Sequence, residues 1–167
     1  MWLDRETGAK CYMLSARALC IIWGNTPEYW GWIPLTDSSF SEAARLLQVW
    51  WLEIRGKIDS KMLSQNSTYA AYIVFKTSVH LGESKSTCHV CLDVDDRDED
   101  GEIPQNVVLP RERADGWMEL EMGEFRNDEG EYGEVSIRLL ETSAIVKGGL
   151  IVQGIEARPK KQRALSL

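Results

Sequence analysis

The sequence predicts an antiparallel β-sandwich, mainly β and jelly-roll-like, with one short helix around residues 39–48. About eight short segments alternate apolar and polar side chains, and clusters of Gly, Pro, Asn and Asp separate them. The chain shows no alternation of strand and helix patterns, which a parallel α/β sheet would require. Its 167 residues, 44% of them hydrophobic, are enough for one domain with a sizeable core.

The first predicted elements are a strand, a turn, a helix and a second strand. Residues 18–23 form an apolar run that ends in a Gly-Asn-Thr-Pro turn. Ser39 and Glu42 have the spacing of a capping box, and the segment 40–47 repeats apolar residues at i, i+3, i+4 and i+7. We therefore expect a helix at this position. The segment 49–58 then alternates as a strand.

The remaining segments predict strands only. Residues 69–75 are apolar on both faces, which is typical of a central strand that is covered on both sides. Further alternating segments are 88–94, 117–122, 134–140 and 150–157. The basic residues 160–167 are expected to form a flexible tail, which leaves a single domain over residues 1–159.

Composition and charge disfavour several functions. The chain carries 26 acidic and 19 basic residues, a net charge of −7, whereas nucleic-acid binding needs a basic surface. No apolar run approaches the roughly 18–20 residues of a membrane span. The charged segment 1–6 lacks the apolar core of a secretion signal. The four cysteines are therefore expected to remain free thiols.

No catalytic, cofactor or metal motif stands out in the sequence. There are two histidines, no G-x-S-x-G elbow and no glycine-rich phosphate loop. Cys88 and Cys91 have C-x-x-C spacing, but their segment alternates like a strand and has no second ligand pair. The acidic segment 93–102 contains the start of an EF-hand loop, yet Val107 stands where its bidentate Glu belongs. We expect a solvated loop, with weak calcium binding as the alternative, and no cofactor or metal site.

The seven tryptophans are the unusual feature of the composition. Four of them lie within predicted strand patterns and are expected in the core: Trp32, Trp50, Trp51 and Trp117. Trp23 and Trp30 instead border the Gly-Asn-Thr-Pro turn, where loops meet solvent. Their position alone leaves packing and ligand binding equally open.

Five sequence blocks together carry a family resemblance: 15–32, 40–58, 68–76, 115–125 and 148–159. In this order they resemble the blocks of the Nictaba/phloem protein 2 lectin family of plants. The sequence departs from the family within residues 78–114, which have no clear counterpart, and at Val146, where the family usually has Trp before Lys-x-Gly.

The resemblance implies a non-catalytic carbohydrate-binding domain. The family binds N-acetylglucosamine oligomers and N-glycan cores, so oligosaccharides or glycoproteins with N-acetylglucosamine or high-mannose glycans are the expected partners. Its members are nuclear and cytoplasmic and often form dimers, which makes a homodimer in the cytoplasm and nucleus the expectation. The family's site of two Trp and two Glu corresponds to Trp23, Trp30, Glu134 and Glu141.

The chemistry of sugars supports such a site independently. A flat Trp ring can cover the apolar face of a pyranose, while carboxylates accept hydrogen bonds from its hydroxyls. Asn25 could add an amide from the same turn. By alternation Glu141 should point inward with Val135 unless the strand ends or bulges first. The complete expected site is Trp23, Asn25, Tyr29, Trp30, Glu134 and Glu141.

Two other functions stay open at this point. The first is a protein-interaction or regulatory module that keeps the lectin fold but has lost sugar binding. The second is a glycosidase that uses paired carboxylates, although no pair of acids is singled out by its spacing.

Overall fold

Two antiparallel sheets stack on each other and enclose a shared core. The computed structural model describes residues 1–36, 38–77, 110–130, 132–141 and 147–161, together with the backbone of 87–93. In chain order its strands are β1 (Trp2–Leu3), β2 (Lys10–Ser15), β3 (Cys20–Ile21), β4 (Trp30–Pro34), β5 (Glu42–Leu46), β6 (Leu52–Asp59), β7 (Ser67–Thr77), β8 (Thr87–Asp93), β9 (Arg111–Glu112), β10 (Met118–Asn127), β11 (Glu134–Glu141) and β12 (Leu150–Pro159). Within this described part, the helical segments are short 3-10 turns at Ala16–Ala18 and Ser60–Met62, and no helix could span a membrane.

The strand order defines a large and a small sheet. The large sheet runs β1-β2-β12-β7-β10-β9, with β5 paired to β12 and β4 paired to β5. The small sheet runs β3-β6-β11-β8. The pairings are antiparallel throughout the described residues. The predicted all-β architecture is confirmed.

The core lies between the two sheets and follows the predicted alternation. Val135, Ile137 and Leu139 of β11 are buried in one cluster with Tyr69 and Phe75 of β7. β7 lies between β12 and β10, and every residue from Tyr69 to Phe75 is buried, as expected for a strand covered on both faces. The prediction of a central strand is therefore confirmed.

The helix predicted around residues 39–48 is wrong. The segment Glu42–Leu46 is strand β5, held by β4 on one side and by β12 on the other. Ala44 and Leu46 are buried while Arg45 between them is exposed, which is the period of two of a strand. Pairing on both edges gives hydrogen-bond partners to the backbone N–H and C=O groups of this segment, which a short helix would have to pair internally. The carboxylate of Glu42 accepts from Arg17 Nε at 2.7 Å instead of capping a helix.

Ordered contacts continue into the predicted tail. The backbone N–H of Lys160 donates to the carbonyl of Thr68 at 2.8 Å, and its Nζ lies 2.8 Å from a Glu121 oxygen. Lys161 Nζ pairs with Glu6 at 2.7 Å. Residues 162–167 lie outside the described part of the chain.

An ionic cluster covers the face of the large sheet that is turned away from the core. Arg158 donates two hydrogen bonds of 2.6 Å to the carboxylate of Glu119. Arg113 Nη1 bridges Glu119 and Glu156, at 3.2 Å and 2.9 Å. The Arg158 guanidinium also lies 3.7 Å from the centre of the Tyr72 ring. Both glutamates are buried, and each is paired with arginine, as buried charges require.

Candidate functional site

Three chain connections lie side by side at one end of the sandwich. Residues 22–29 lead from β3 to β4, residues 47–51 lead from β5 to β6, and the segment ending in 147–149 leads from β11 to β12. β3, β6 and β11 are neighbours in the small sheet, while β4, β5 and β12 are neighbours in the large sheet. Each connection therefore leads from one sheet to the other, and neighbouring connections lie beside each other. We call the residues 22–29, 47–51 and 147–149 the crossover end.

Backbone hydrogen bonds fasten the three connections together. The Leu47 N–H donates to the carbonyl of Tyr29 at 2.9 Å, joining the first connection to the middle one. Val49 and Lys147 exchange two bonds of 2.9 Å, joining the middle connection to the third. The Gly149 N–H adds a bond of 3.1 Å to the carbonyl of Leu46. The crossover end is thus one connected surface.

Trp23 is exposed and adopts a strained backbone conformation. Its φ is +65°, in the left-handed region that bulky residues rarely occupy, and the residue is 54% exposed. The turn is fixed by a 2.9 Å bond from the Thr26 N–H to the Trp23 carbonyl and by Trp32 Nε1, which donates to the Gly24 carbonyl at 3.2 Å. Tyr29 packs edge-on against the Trp23 ring, with centroids 5.9 Å apart. Strain of this kind is often retained where a side chain has a function.

The strain at Trp23 leads to a stability prediction. Trp23→Gly should be more stable than Trp23→Ala by about 1 kcal/mol, because alanine keeps the unfavourable left-handed backbone and glycine removes it. Urea unfolding of the two variants measures the difference. At Trp2, which lies in a strand, the order should reverse because glycine is the less favourable strand residue. Equal stabilities at position 23 would show that the backbone there is unstrained.

Trp50 and Trp51 lie on the surface, so the prediction that they belong to the core is wrong. They are 62% and 49% exposed, because β6 begins only at Leu52 and the preceding Val49 makes a single isolated bridge. Adjacent residues of a strand point to opposite faces, so two consecutive tryptophans could not both face one core. That signal was available in the sequence. Trp117 is buried as predicted.

Trp30 also differs from expectation, while Trp32 packs against the main core as predicted. Trp30 was a candidate for sugar contact, but it is the first residue of β4, is 2% exposed and belongs to the main core. Burial between the sheets prevents its ring from covering a sugar. Trp32 is half-buried, and the Arg17 guanidinium lies 3.6 Å from the centre of its ring.

Glu141 lies beneath the crossover end and points inward. It is the last residue of β11 and is 2% exposed, as its alternation with Val135 predicts. Lys147 Nζ lies 3.8 Å from its Oε1, and that lysine side chain is 11% exposed. The same Nζ donates to the backbone carbonyl of Trp50 at 2.6 Å. Lys147 therefore connects the buried carboxylate to the tryptophan-bearing loop, a role that the sequence did not suggest.

Gly148 allows this close approach. A Cβ at this position would lie 2.7 Å from the carbonyl oxygen of Leu47, a distance that real Cβ atoms essentially never show. The Lys-Gly-Gly sequence therefore suits a segment that lies directly against the middle connection.

Glu134 does not join the other predicted site residues. It begins β11 while Glu141 ends it, and seven residue steps of strand separate them by about 23 Å. Glu134 is half-exposed, and Lys57 Nζ lies 2.9 Å from its Oε1. The two glutamates therefore cannot flank one small site. Of the expected set, the structure brings Trp23, Asn25, Tyr29 and Glu141 to the crossover end, with Asn25 exposed and Tyr29 half-buried.

The described residues contain no group of three or more His, Cys, Asp or Glu side chains that could hold a metal ion. The acidic segment proposed for weak calcium binding falls, from residue 94 to 102, outside those residues. The backbone of 87–93 is strand β8, which confirms the strand interpretation of the C-x-x-C segment.

The fold and the site together define an all-β sandwich domain with an aromatic surface at one end. The chain belongs to the phloem protein 2 family, whose sequence model matches residues 9–159. The resemblance found in the sequence is confirmed.

Named relatives are F-box proteins of Arabidopsis thaliana. F-box protein PP2-B10 is 41% identical, with 96% of this chain and 64% of the relative covered. F-box protein PP2-B1 is 34% identical, with 96% and 66% covered. The chain therefore spans less than two thirds of the length of these relatives.

A solved structure has a similar fold. The GH26-CBM35 β-(1,4)-mannanase of Podospora anserina matches with a TM-score of 0.54 at 12% identity, over 93% of this chain and 29% of that one. This likeness supports the β-sandwich architecture.

Proposed function

We propose that this domain is a lectin that binds N-acetylglucosamine oligomers and N-glycan cores at the crossover end, without catalysis. The observation that carries the proposal is Trp23, which is held exposed in a strained turn beside Tyr29. An exposed indole leaves a large apolar surface in contact with water, which is normally unfavourable. That Trp23 stays exposed, and does so in an unfavourable backbone conformation, favours a binding role.

The surroundings of Trp23 suit a sugar. The flat indole can cover the apolar face of a pyranose with little loss of side-chain freedom. Asn25 and Glu28 are exposed on the same connection and can exchange hydrogen bonds with hydroxyls. Glu141 is buried beneath the surface, so its role in this proposal is to support the loops through Lys147. No covalent step is required of any of these groups.

The partners follow from the same proposal. They are oligosaccharides or glycoproteins that display N-acetylglucosamine or high-mannose glycans in the cytoplasm and nucleus. A single open site binds short glycans weakly, and a homodimer would increase retention on a multivalent surface. Since the relatives are longer proteins named for an F-box, a protein-interaction module is the alternative function.

Replacing Trp23 tests the proposal. Trp23→Ala should lower affinity for N,N′-diacetylchitobiose by at least about tenfold, since truncation of an aromatic hot spot costs about 2 kcal/mol or more. Retention on an N-acetylglucosamine column and calorimetric titration measure the loss. Circular dichroism should show an unchanged fold, because the side chain is exposed.

Trp2→Ala is the matched control. Trp2 is also exposed, and its strand β1 pairs with the start of β2 at Lys10 and Cys11. The Lys10 N–H donates to the hydroxyl of Ser64, which follows the end of β6 opposite to the crossover end. Trp2 is therefore far from the crossover end. This variant should bind like the wild type. Wild-type affinity in Trp23→Ala would refute the assigned site. A wild-type protein that binds no sugar on a glycan array would favour the interaction module, and release of reducing sugar would indicate a glycosidase.

A further inference from the structure

The middle connection of the crossover end carries two more exposed tryptophans. We propose that Trp50 and Trp51 form a second stacking subsite beside Trp23, so that the site takes an extended oligosaccharide of three or more units in preference to a single sugar or a disaccharide. This inference rests on the proposed lectin function and specifies the ligand length. Neither tryptophan belongs to the residues that the family resemblance assigns to sugar binding.

The two subsites are continuous. The Ile22 N–H, one residue before Trp23, donates to the Glu53 carbonyl at 3.1 Å, two residues after Trp51. At the other end of the same two connections, the Leu47 N–H donates a hydrogen bond to the Tyr29 carbonyl. The flanking strands β3 and β6 are paired neighbours, and paired strands lie about 4.8 Å apart. One linear ligand can therefore reach both connections.

The middle connection is held in place from below. Val49 is bridged to Lys147 by two backbone bonds, and Lys147 Nζ donates to the Trp50 carbonyl at 2.6 Å. Lys147 is itself placed beside the buried Glu141. Val49 is buried, which anchors the backbone between the two sheets. A loop that is fixed before binding loses little entropy when a ligand arrives, which favours a subsite over a flexible surface patch.

The distribution of polar groups points to a carbohydrate. The exposed aromatic residues are interleaved with exposed Asn25, Glu28 and Gln48. An oligosaccharide presents apolar ring faces and hydroxyls in the same alternating manner, and each Trp can cover one ring. The core of a protein–protein interface is instead depleted of charged groups and closely packed. The mixed surface of the crossover end therefore fits a chain of sugar rings better than a protein.

The experiment compares two ligand lengths in the wild type and four variants. N,N′-diacetylchitobiose and N,N′,N″,N‴-tetraacetylchitotetraose are titrated calorimetrically into the wild type, Trp50→Ala and Trp51→Ala, with Trp23→Ala as reference and Trp2→Ala as control. The wild type should bind the tetramer about tenfold more tightly than the dimer. Each middle-connection variant should lose most of that gain, while its affinity for the dimer stays within about twofold. The ¹H–¹⁵N indole resonances of Trp50 and Trp51 should shift with the tetramer and not with the dimer.

The outcomes separate the two proposals. If the wild type binds both ligands and Trp50→Ala and Trp51→Ala bind the tetramer normally, the second subsite is refuted and the lectin function stands. If both variants lose dimer and tetramer affinity equally, the middle connection belongs to the first subsite and the length assignment is wrong. If the wild type binds neither ligand, the lectin proposal fails and this inference fails with it. Self-association that disappears in the same variants would identify the surface as a contact between copies of the chain.

Discussion

Replacing Lys147 with methionine is expected to lower the free energy of unfolding by about 3 kcal/mol. The substitution keeps the aliphatic stem but removes the cation beside a carboxylate that is 2% exposed. It also removes the donor to the Trp50 carbonyl, a bond of 2.6 Å. Removing one charge of a buried pair is much more costly than removing one charge of a surface pair. Urea unfolding at pH 7 measures the change.

Two comparisons make this result specific. Lys57→Met removes a cation from Glu134, where both side chains are more than half exposed, and should change stability by less than about 1 kcal/mol. Glu141→Leu added to Lys147→Met should restore part of the lost stability, because the buried carboxylate is then gone as well. Equal effects of Lys57→Met and Lys147→Met on the free energy of unfolding would show that burial does not strengthen the Lys147–Glu141 pair.

Loss of stability in acid is the second large effect that we expect. Hydrogen bonds from Arg158, opposed by burial, lower the pKa of Glu119 from 4.5 to about 2. A carboxyl group with a lowered folded-state pKa stabilises the protein fully above the unfolded value, and this contribution disappears as the pH falls towards the folded value. Protonation of Glu119 should therefore lower the free energy of unfolding by about 3 kcal/mol between pH 5 and pH 2.

Glu119→Gln is the variant that isolates this contribution. It keeps the size of the side chain but cannot titrate, and it weakens the two 2.6 Å bonds from Arg158. The variant should be less stable than the wild type at pH 7, and the two stabilities should converge near pH 2. Thermal unfolding across this pH range measures the difference. A constant difference from pH 7 to pH 2 would contradict the lowered pKa of Glu119.

Much of the fold could be predicted because strand alternation is a local property. The segment 69–75 is apolar at every position, and the structure places it in the centre of the large sheet. Val135 and Ile137 point into the core as their period of two requires. The helix at 39–48 failed for the opposite reason. Its short apolar pattern fits both periods, and pairing with β4 and β12 decided between them.

The site could be predicted only in part. Trp23 and Asn25 lie on the surface because a Gly-Asn-Thr-Pro turn must reach solvent, and this is visible locally. Trp30 is buried because it is the first residue of a paired strand, while Trp50 is exposed because its strand starts two residues later. Shifts of one or two residues at a strand boundary reverse which side chains meet solvent.

The sequence by itself determined the all-β class, the central strand and the exposed turn that carries Trp23, since periodicity and turn residues act over a few neighbouring positions. Only the tertiary structure decided that Trp23, Trp50 and Lys147 meet at one end while Glu134 lies at the other. Residues far apart in the chain become neighbours through the order of strands in two stacked sheets. That order is set by long-range pairing and burial, which no local pattern records.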